Sequence, residues 1–153
     1  MSPAERLAEL GLTLPPVVAP VAAYVPALRT GPYVYVSGQL PMVDGKLPAT
    51  GKVGDDVSAA DAAGLARICA LNALAAAAAV AGGLDRITRI VKVTGFVASS
   101  PGFNGQPQVV NGASELLIEV FGEAGRHARS AVGVAELPLG TPVEVELIAE
   151  VRD

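Results

Sequence analysis

Apolar positions recur along this chain with two different periods, and the alternation between them lays out the elements. Val143, Val145, Leu147, Ala149 and Val151 alternate with Glu144, Glu146 and Glu150, the period-two signature of a strand with one buried face. Val109, Val110, Ala113, Leu116, Leu117, Val120 and Phe121 fall at helical spacing between Gln106 and Phe121, and Gly122 and Gly125 end that run. A second helix is expected from the capping pattern Ser58-Ala59-Ala60-Asp61 to about Ala81, closed by Gly82-Gly83. Its half from Ala75 to Ala81 carries no bulky side chain except Val80, as close packing against a sheet requires. Ile87 to Ala98 is β-rich and reads as a central strand, with Lys92 and Thr94 marking one side. Ala22 to Arg29 and Pro32 to Ser37 read as a hairpin about Thr30-Gly31, with Tyr33, Tyr35 and Ser37 on one face and Val34 and Val36 on the other. Gly38 to Gly54 is a long loop with room for one short strand. Arg129 to Pro138 and the Val143 run read as two short strands joined by a Pro/Gly turn. Ser2-Pro3-Ala4-Glu5 starts a short helix that Gly11 ends, and Leu14-Pro15-Pro16 forces an extended lead-in.

The resulting order is αββ-α-β-α-ββ. It predicts an α+β sandwich, with two long helices on one face of a five- to six-stranded sheet and a short extra helix at the N-terminal end. The other sheet face is left bare, mixed apolar and polar, and such a face is an association surface. At 153 residues, a single domain over 1–153 is expected, with 1–19 as an N-terminal extension.

Composition narrows the chemistry. Half the residues are apolar, but Trp is absent and aromatics are scarce, so the core is built from Ala, Val, Leu and Ile. The net charge of −4 and the lack of any Lys/Arg run leave no electrostatic footprint for nucleic acid. Cys69, the one cysteine, cannot form an internal disulfide, which fits a reducing cytosol. The apolar run Ala70 to Ala81 contains Asn72 and is too short to span a bilayer, and Met1 to Leu10 lacks an apolar signal core. A cytoplasmic protein with no membrane partner is expected. His127 is the lone histidine, so neither a His-based triad nor a His metal cluster can be assembled in one chain. No phosphate-binding glycine loop is present, and Ser37 has no Gly-x-Ser-x-Gly setting. Neither metal nor cofactor is called for.

Among polar residues, Arg129 and Glu144 carry the clearest chemistry. A guanidinium grips a carboxylate with two parallel charge-assisted hydrogen bonds. The plainer reading of Arg129 is a surface ion pair with Glu136, and that of Glu144 is an exposed strand carboxylate like Glu146.

The block Arg129-Ser130-Ala131-Val132-Gly133-Val134-Ala135-Glu136-Leu137-Pro138 resembles the C-terminal motif of the RidA/YjgF family, the enamine/imine deaminases also labelled endoribonuclease L-PSP. Tyr24 ahead of Ser37-Gly38-Gln39-Leu40-Pro41, Val110-Asn111 at the second long helix, and Leu147-Ile148-Ala149 closing the last strand match the family in order, over about residues 20 to 152. The resemblance implies a chorismate-mutase-like (YjgF-like) fold and a ring-shaped homotrimer with interfacial sites. It implies hydrolytic deamination of small 2-imino or 2-enamino acids to 2-keto acids and ammonia. By motif position, Arg129 would hold the substrate carboxylate and Glu144 would order water or move a proton. Tyr24, Ser37, Gly38 and Asn111 would shape the pocket, and Ala131 would contribute backbone groups. Glu146 lies outside the motif position. Many members carry a cysteine where this chain has Ala131, so thiol chemistry is excluded there. One extra residue falls between Asn111 and Arg129, around Gly122 to Arg126, where it bears on pocket depth. The rival readings are a non-enzymatic small-carboxylate binder and an RNA-cleaving translation inhibitor, the latter at odds with the acidic charge.

Overall fold

A computed structural model of the chain describes residues 1–153. Five strands form one sheet: β1 Ala27–Thr30, β2 Tyr33–Gln39, β3 Ile87–Ala98, β4 Ala128–Val134 and β5 Val143–Val151, in the spatial order β1-β2-β5-β3-β4. Three helices accompany it: α1 Pro3–Glu9, α2 Ala59–Ala81 and α3 Gln106–Phe121. The long helices α2 and α3 pack on each other and on one face of the sheet, giving the α+β sandwich with its other face uncovered. One cluster of 33 buried residues, rich in alanine and valine, fills the space between.

The local signals act as their chemistry dictates. Ser2 and Glu5 close a reciprocal capping box on α1, and the Ser58 hydroxyl accepts from Asp61 N at the start of α2. Gly82 ends α2 in the left-handed conformation that lacks a Cβ penalty. The small side chains of α2 serve helix–helix as well as helix–sheet packing. Gly112 of α3 sits so tightly on the Ala63 carbonyl of α2 that a Cβ there would overlap it. With 23 residues, α2 is long and apolar enough, by length and composition alone, to cross a membrane, because its helical span exceeds the apolar run from Ala70; here 61% of that apolar stretch is buried inside the fold. Buried Asn72 is satisfied by the Leu40 and Met42 carbonyls at 3.0 and 3.1 Å, which ties α2 to the loop after β2.

β4 and β5 are joined by a short connection containing Pro138 and Gly140 but are not paired, because β3 lies between them, parallel to β4 and antiparallel to β5. α3 is a crossover between two parallel strands, and the strand after a βαβ unit is free to return on the far side of β3. The first strand is shorter than expected. Residues 22–26 are held to β2 by Ser37 N donating to the Pro26 carbonyl, and Pro26 has no N–H with which to extend the ladder.

Candidate functional site

Strand alternation decides where the charged residues go. On β5, Val143, Val145, Leu147, Ala149 and Val151 are buried under the helices, so Glu144, Glu146 and Ile148 face the bare side. Residues paired across a ladder share a face. Glu144 pairs with Phe96 and Phe96 with Val132, all on the bare face. Arg129 pairs with Val93 and Val93 with Leu147, both buried beneath the helices. Arg129 therefore rises from the helix side of the edge strand β4, opposite to Glu144. The two charges do not converge within one chain.

On its side Arg129 is held by α3. Nη1 donates to Asn111 Oδ1 at 2.8 Å and to Ser114 Oγ at 3.2 Å, and Nη2 donates to the Pro107 carbonyl at 3.3 Å. All three acceptors are neutral. The ion pair with Glu136 does not form, since Glu136 meets Lys52 at 3.2 Å. Of the five N–H donors of a guanidinium, Nε–H and one on Nη2 have no partner in the chain. Nε and Nη2 share one edge of the planar group, the edge whose spacing matches a carboxylate's two oxygens. Asn111 and Ala131 accompany Arg129: Asn111 as an anchor, Ala131 on the same side of β4 with its methyl against the core.

The bare face carries a hollow of about 660 Å³ whose lining includes Tyr24, Leu28, Tyr35, Ser37, Lys92 and Glu146. Ser37 builds one wall. Its hydroxyl donates to the Val25 carbonyl at 2.6 Å and so ties the segment bearing Tyr24 onto β2. Glu146, placed outside the site by its motif position, lines this hollow. Glu144 lies instead against Gly38, so closely that a Cβ on Gly38 would overlap its carboxylate. Burial, and secondarily the charge of Glu146, pushes the Glu144 carboxyl above its ordinary range. A raised carboxyl that can exchange a proton nearer neutrality suits general acid/base work. On the opposite, helix-covered face, Gln39 pairs with Val145, and its buried Oε1 has no hydrogen-bond partner.

The residues thus fall into two groups: Tyr24, Ser37, Gly38 and Glu144 around β2 and β5, and Arg129, Asn111 and Ala131 around β4 and α3. Sequence reasoning missed Ser114, although it lies one helical turn beyond Asn111, where neighbours on a helix meet. It also set aside His127, which bonds Ser114 at 2.8 Å. No group of three or more His, Cys, Asp or Glu side chains is placed to hold a metal ion.

Known proteins match this arrangement along the whole chain. The model of the YjgF/chorismate mutase-like endoribonuclease family matches residues 4–151, so the match begins within α1. The Trypanosoma cruzi protein TCP17 is 45% identical over 151 residues, covering 98% of this chain and 94% of its own length. A Salmonella typhimurium protein named 2-iminobutanoate/2-iminopropanoate deaminase is 36% identical over 131 residues, covering 86% of this chain and 89% of its own. Among solved structures, Agrobacterium tumefaciens Atu1372 superposes with a TM-score of 0.89 at 51% identity, covering 98% of this chain and 92% of its own. The chain belongs to the RidA/YjgF family, with its chorismate-mutase-like α+β fold.

Proposed function

We propose that the protein hydrolyses small 2-imino and 2-enamino acids to 2-keto acids and ammonia. The observation that carries this reading is Arg129: a guanidinium without an acidic partner, fixed by three neutral acceptors, with N–H donors on Nε and Nη2 left free. Those donors receive the substrate carboxylate. A water held at Glu144 attacks the adjacent imine carbon, and one of its protons passes through the Glu144 carboxyl to the imine nitrogen, giving the neutral carbinolamine. The carbinolamine hydroxyl then yields its proton through Glu144 to the amine nitrogen as the C=O bond forms, the C–N bond breaks and ammonia leaves. Backbone at Ala131 meets the imine nitrogen, and Tyr24 closes the cavity. The name of the Salmonella relative supports the substrate class.

The carboxyl and imine carbons of such a substrate are bonded to each other. Within one chain, β4 and β5 are two strand spacings apart, roughly 10 Å, and the two side chains leave opposite faces of the sheet. One substrate cannot reach both. The reading therefore requires Arg129 of one copy to face Glu144 of another, in a homotrimer with interfacial sites. The exposed Leu28, Tyr35 and Val132 on the bare face support such an association.

Mixing two variants tests both claims. Arg129→Met and Glu144→Gln should each release ammonia from freshly generated 2-iminobutanoate at background rates. Co-refolded together, they should recover a substantial fraction of activity, because mixed assemblies contain sites with both native residues. Absence of recovery, or a stable monomer in sedimentation, would sink the interfacial site. Binding of 2-oxobutanoate by the wild type without any ammonia release would identify a carboxylate binder instead.

A further inference from the structure

The hydrogen bonds that hold Arg129 continue into a chain in which every donor and acceptor is determined. The Gly125 carbonyl can only accept, so His127 Nδ1 carries the hydrogen directed at it across 2.6 Å. In the neutral ring Nε2 is then an acceptor, and the 2.8 Å contact to Ser114 is donated by the serine hydroxyl. With that hydrogen committed, Ser114 Oγ offers lone pairs alone, and one of them receives Arg129 Nη1–H at 3.2 Å. Ser114 is nearly buried, on the inner flank of α3. Ser114, Ile118, Arg126, His127 and Arg129 line a shallow, open hollow of about 220 Å³.

We propose that His127 and Ser114 are positioning residues for Arg129, setting which edge of its guanidinium is offered to the carboxylate and coupling that grip to pH. The inference rests on Arg129 being the carboxylate grip. While His127 is neutral, its ring keeps the Ser114 hydroxyl turned away from Arg129. When the ring takes a proton, Nε2 becomes a donor, the hydroxyl must find another acceptor, and a second positive charge appears beside the guanidinium.

The charges around the ring make Arg129 its dominant partner. From α3 it meets the uncharged Ser114 and Ile118, and Glu119 farther along that helix is engaged by Arg67 at 3.0 Å. Arg126, next to it in the chain, is turned to Glu123 at 3.1 Å. Lys92 of β3 pairs with Ala128 and lies on the other face of the sheet. Burial first, and the Arg129 charge with it, holds the His127 ring below its ordinary value. A carboxylate on Arg129 offsets that charge, so by reciprocity ligand binding raises the pH at which His127 titrates.

As the chain's one histidine, His127 gives a single proton-NMR signal for this measurement. The probe is 2-oxobutanoate, whose binding is followed by calorimetry between pH 5 and 8. Saturation should move the His127 midpoint upward. Ser114→Ala should weaken binding roughly three- to tenfold, the scale of one lost hydrogen bond, and Ser114→Thr should restore it. His127→Gln should abolish the pH dependence. Wild-type affinity in Ser114→Ala, or a His127 midpoint unmoved by saturation, overturns the proposal. A wild type that binds no 2-oxobutanoate defeats the deaminase reading, and the relay is then judged on Arg129→Met alone. Removing the guanidinium must raise the His127 midpoint, and an unchanged midpoint refutes the relay.

Discussion

Replacing Gly38 with alanine tests whether the position of Glu144 matters more than its presence. Gly38 has no left-handed backbone to protect, so the cost of a methyl group is its contacts alone. The new Cβ would overlap Glu144 Oε1 and lie 2.8 Å from its carboxyl carbon, where ordinary contact begins at 3.4 Å. The carboxyl carbon must retreat by roughly 0.6 Å and its oxygen by more, and misplacement on the ~1 Å scale costs about a hundredfold in rate. What yields is the end of a flexible side chain, so the fold should hold. Alanine in a strand also regains about 0.5–1 kcal/mol of the glycine entropy. We expect kcat for ammonia release from 2-iminobutanoate to fall roughly 30- to 100-fold. The urea midpoint should stay close to wild type, and 2-oxobutanoate binding should persist because Arg129 is untouched. Product binding distinguishes displacement of Glu144 from blockage of the cavity: 2-oxobutanoate binding weakened in Gly38→Ala would mean blockage. A kcat within threefold of wild type in Gly38→Ala would refute the placement of Glu144 in the reaction.

Arg129→Lys should lower kcat/KM by roughly ten- to a hundredfold, about 1.5–3 kcal/mol for a lost charge-assisted bond, and steady-state rates equal to wild type would dismiss the two-pronged grip. Gly112→Ala drives a methyl group into the Ala63 carbonyl. Overpacking of this kind costs about 1–3 kcal/mol or more, beyond the ~1 kcal/mol that alanine returns to a helix, and an unmoved urea midpoint would show that α2 and α3 slide freely. For His127 the folded value lies below the ordinary 6.5. The unfolded chain binds more protons in that window, so stability is fully present above 6.5 and declines as pH falls through the folded value. Urea titrations of wild type and His127→Gln from pH 8 to 5 should diverge in that direction, and parallel curves would reject it.

Elements whose signals are local were legible in the sequence. Both long helices and β3 follow from periodicity and caps such as Ser58 and Gly82, because each depends on neighbours within a turn or two. The first strand starts at Ala27 and not at Ala22 because Pro26 sets its limit, and the effect of Pro26 depends on the partner strand. Within β5, alternation alone puts Glu144 and Glu146 on one face. That Glu146 lines the hollow while Glu144 lies on Gly38 depends on the β2–β5 register, which shifts between Val36 and Gln39. No spacing within either strand records such a shift.

Arg129 presents the deeper case. Its side of the sheet is fixed by pairing with Val93, and that pairing exists only because α3 returns the chain parallel to β3. The same helix supplies Asn111, Ser114 and the Pro107 carbonyl. The proposed carboxylate grip is thus the property of one βαβ unit, β3-α3-β4, in which the crossover helix both places the strand and anchors the guanidinium. Glu144 belongs to a different unit, the antiparallel pair β2–β5, where Ser37 and Gly38 shape its surroundings. β3 belongs to the first unit and separates β4 from β5, so no loop rearrangement could bring the two charges together without unpairing the sheet. A catalytic site that uses both must join the βαβ unit of one copy to the β2–β5 pair of the next. For that reason recovery of activity in mixed Arg129→Met and Glu144→Gln assemblies bears on the mechanism more directly than the loss of activity in either variant alone.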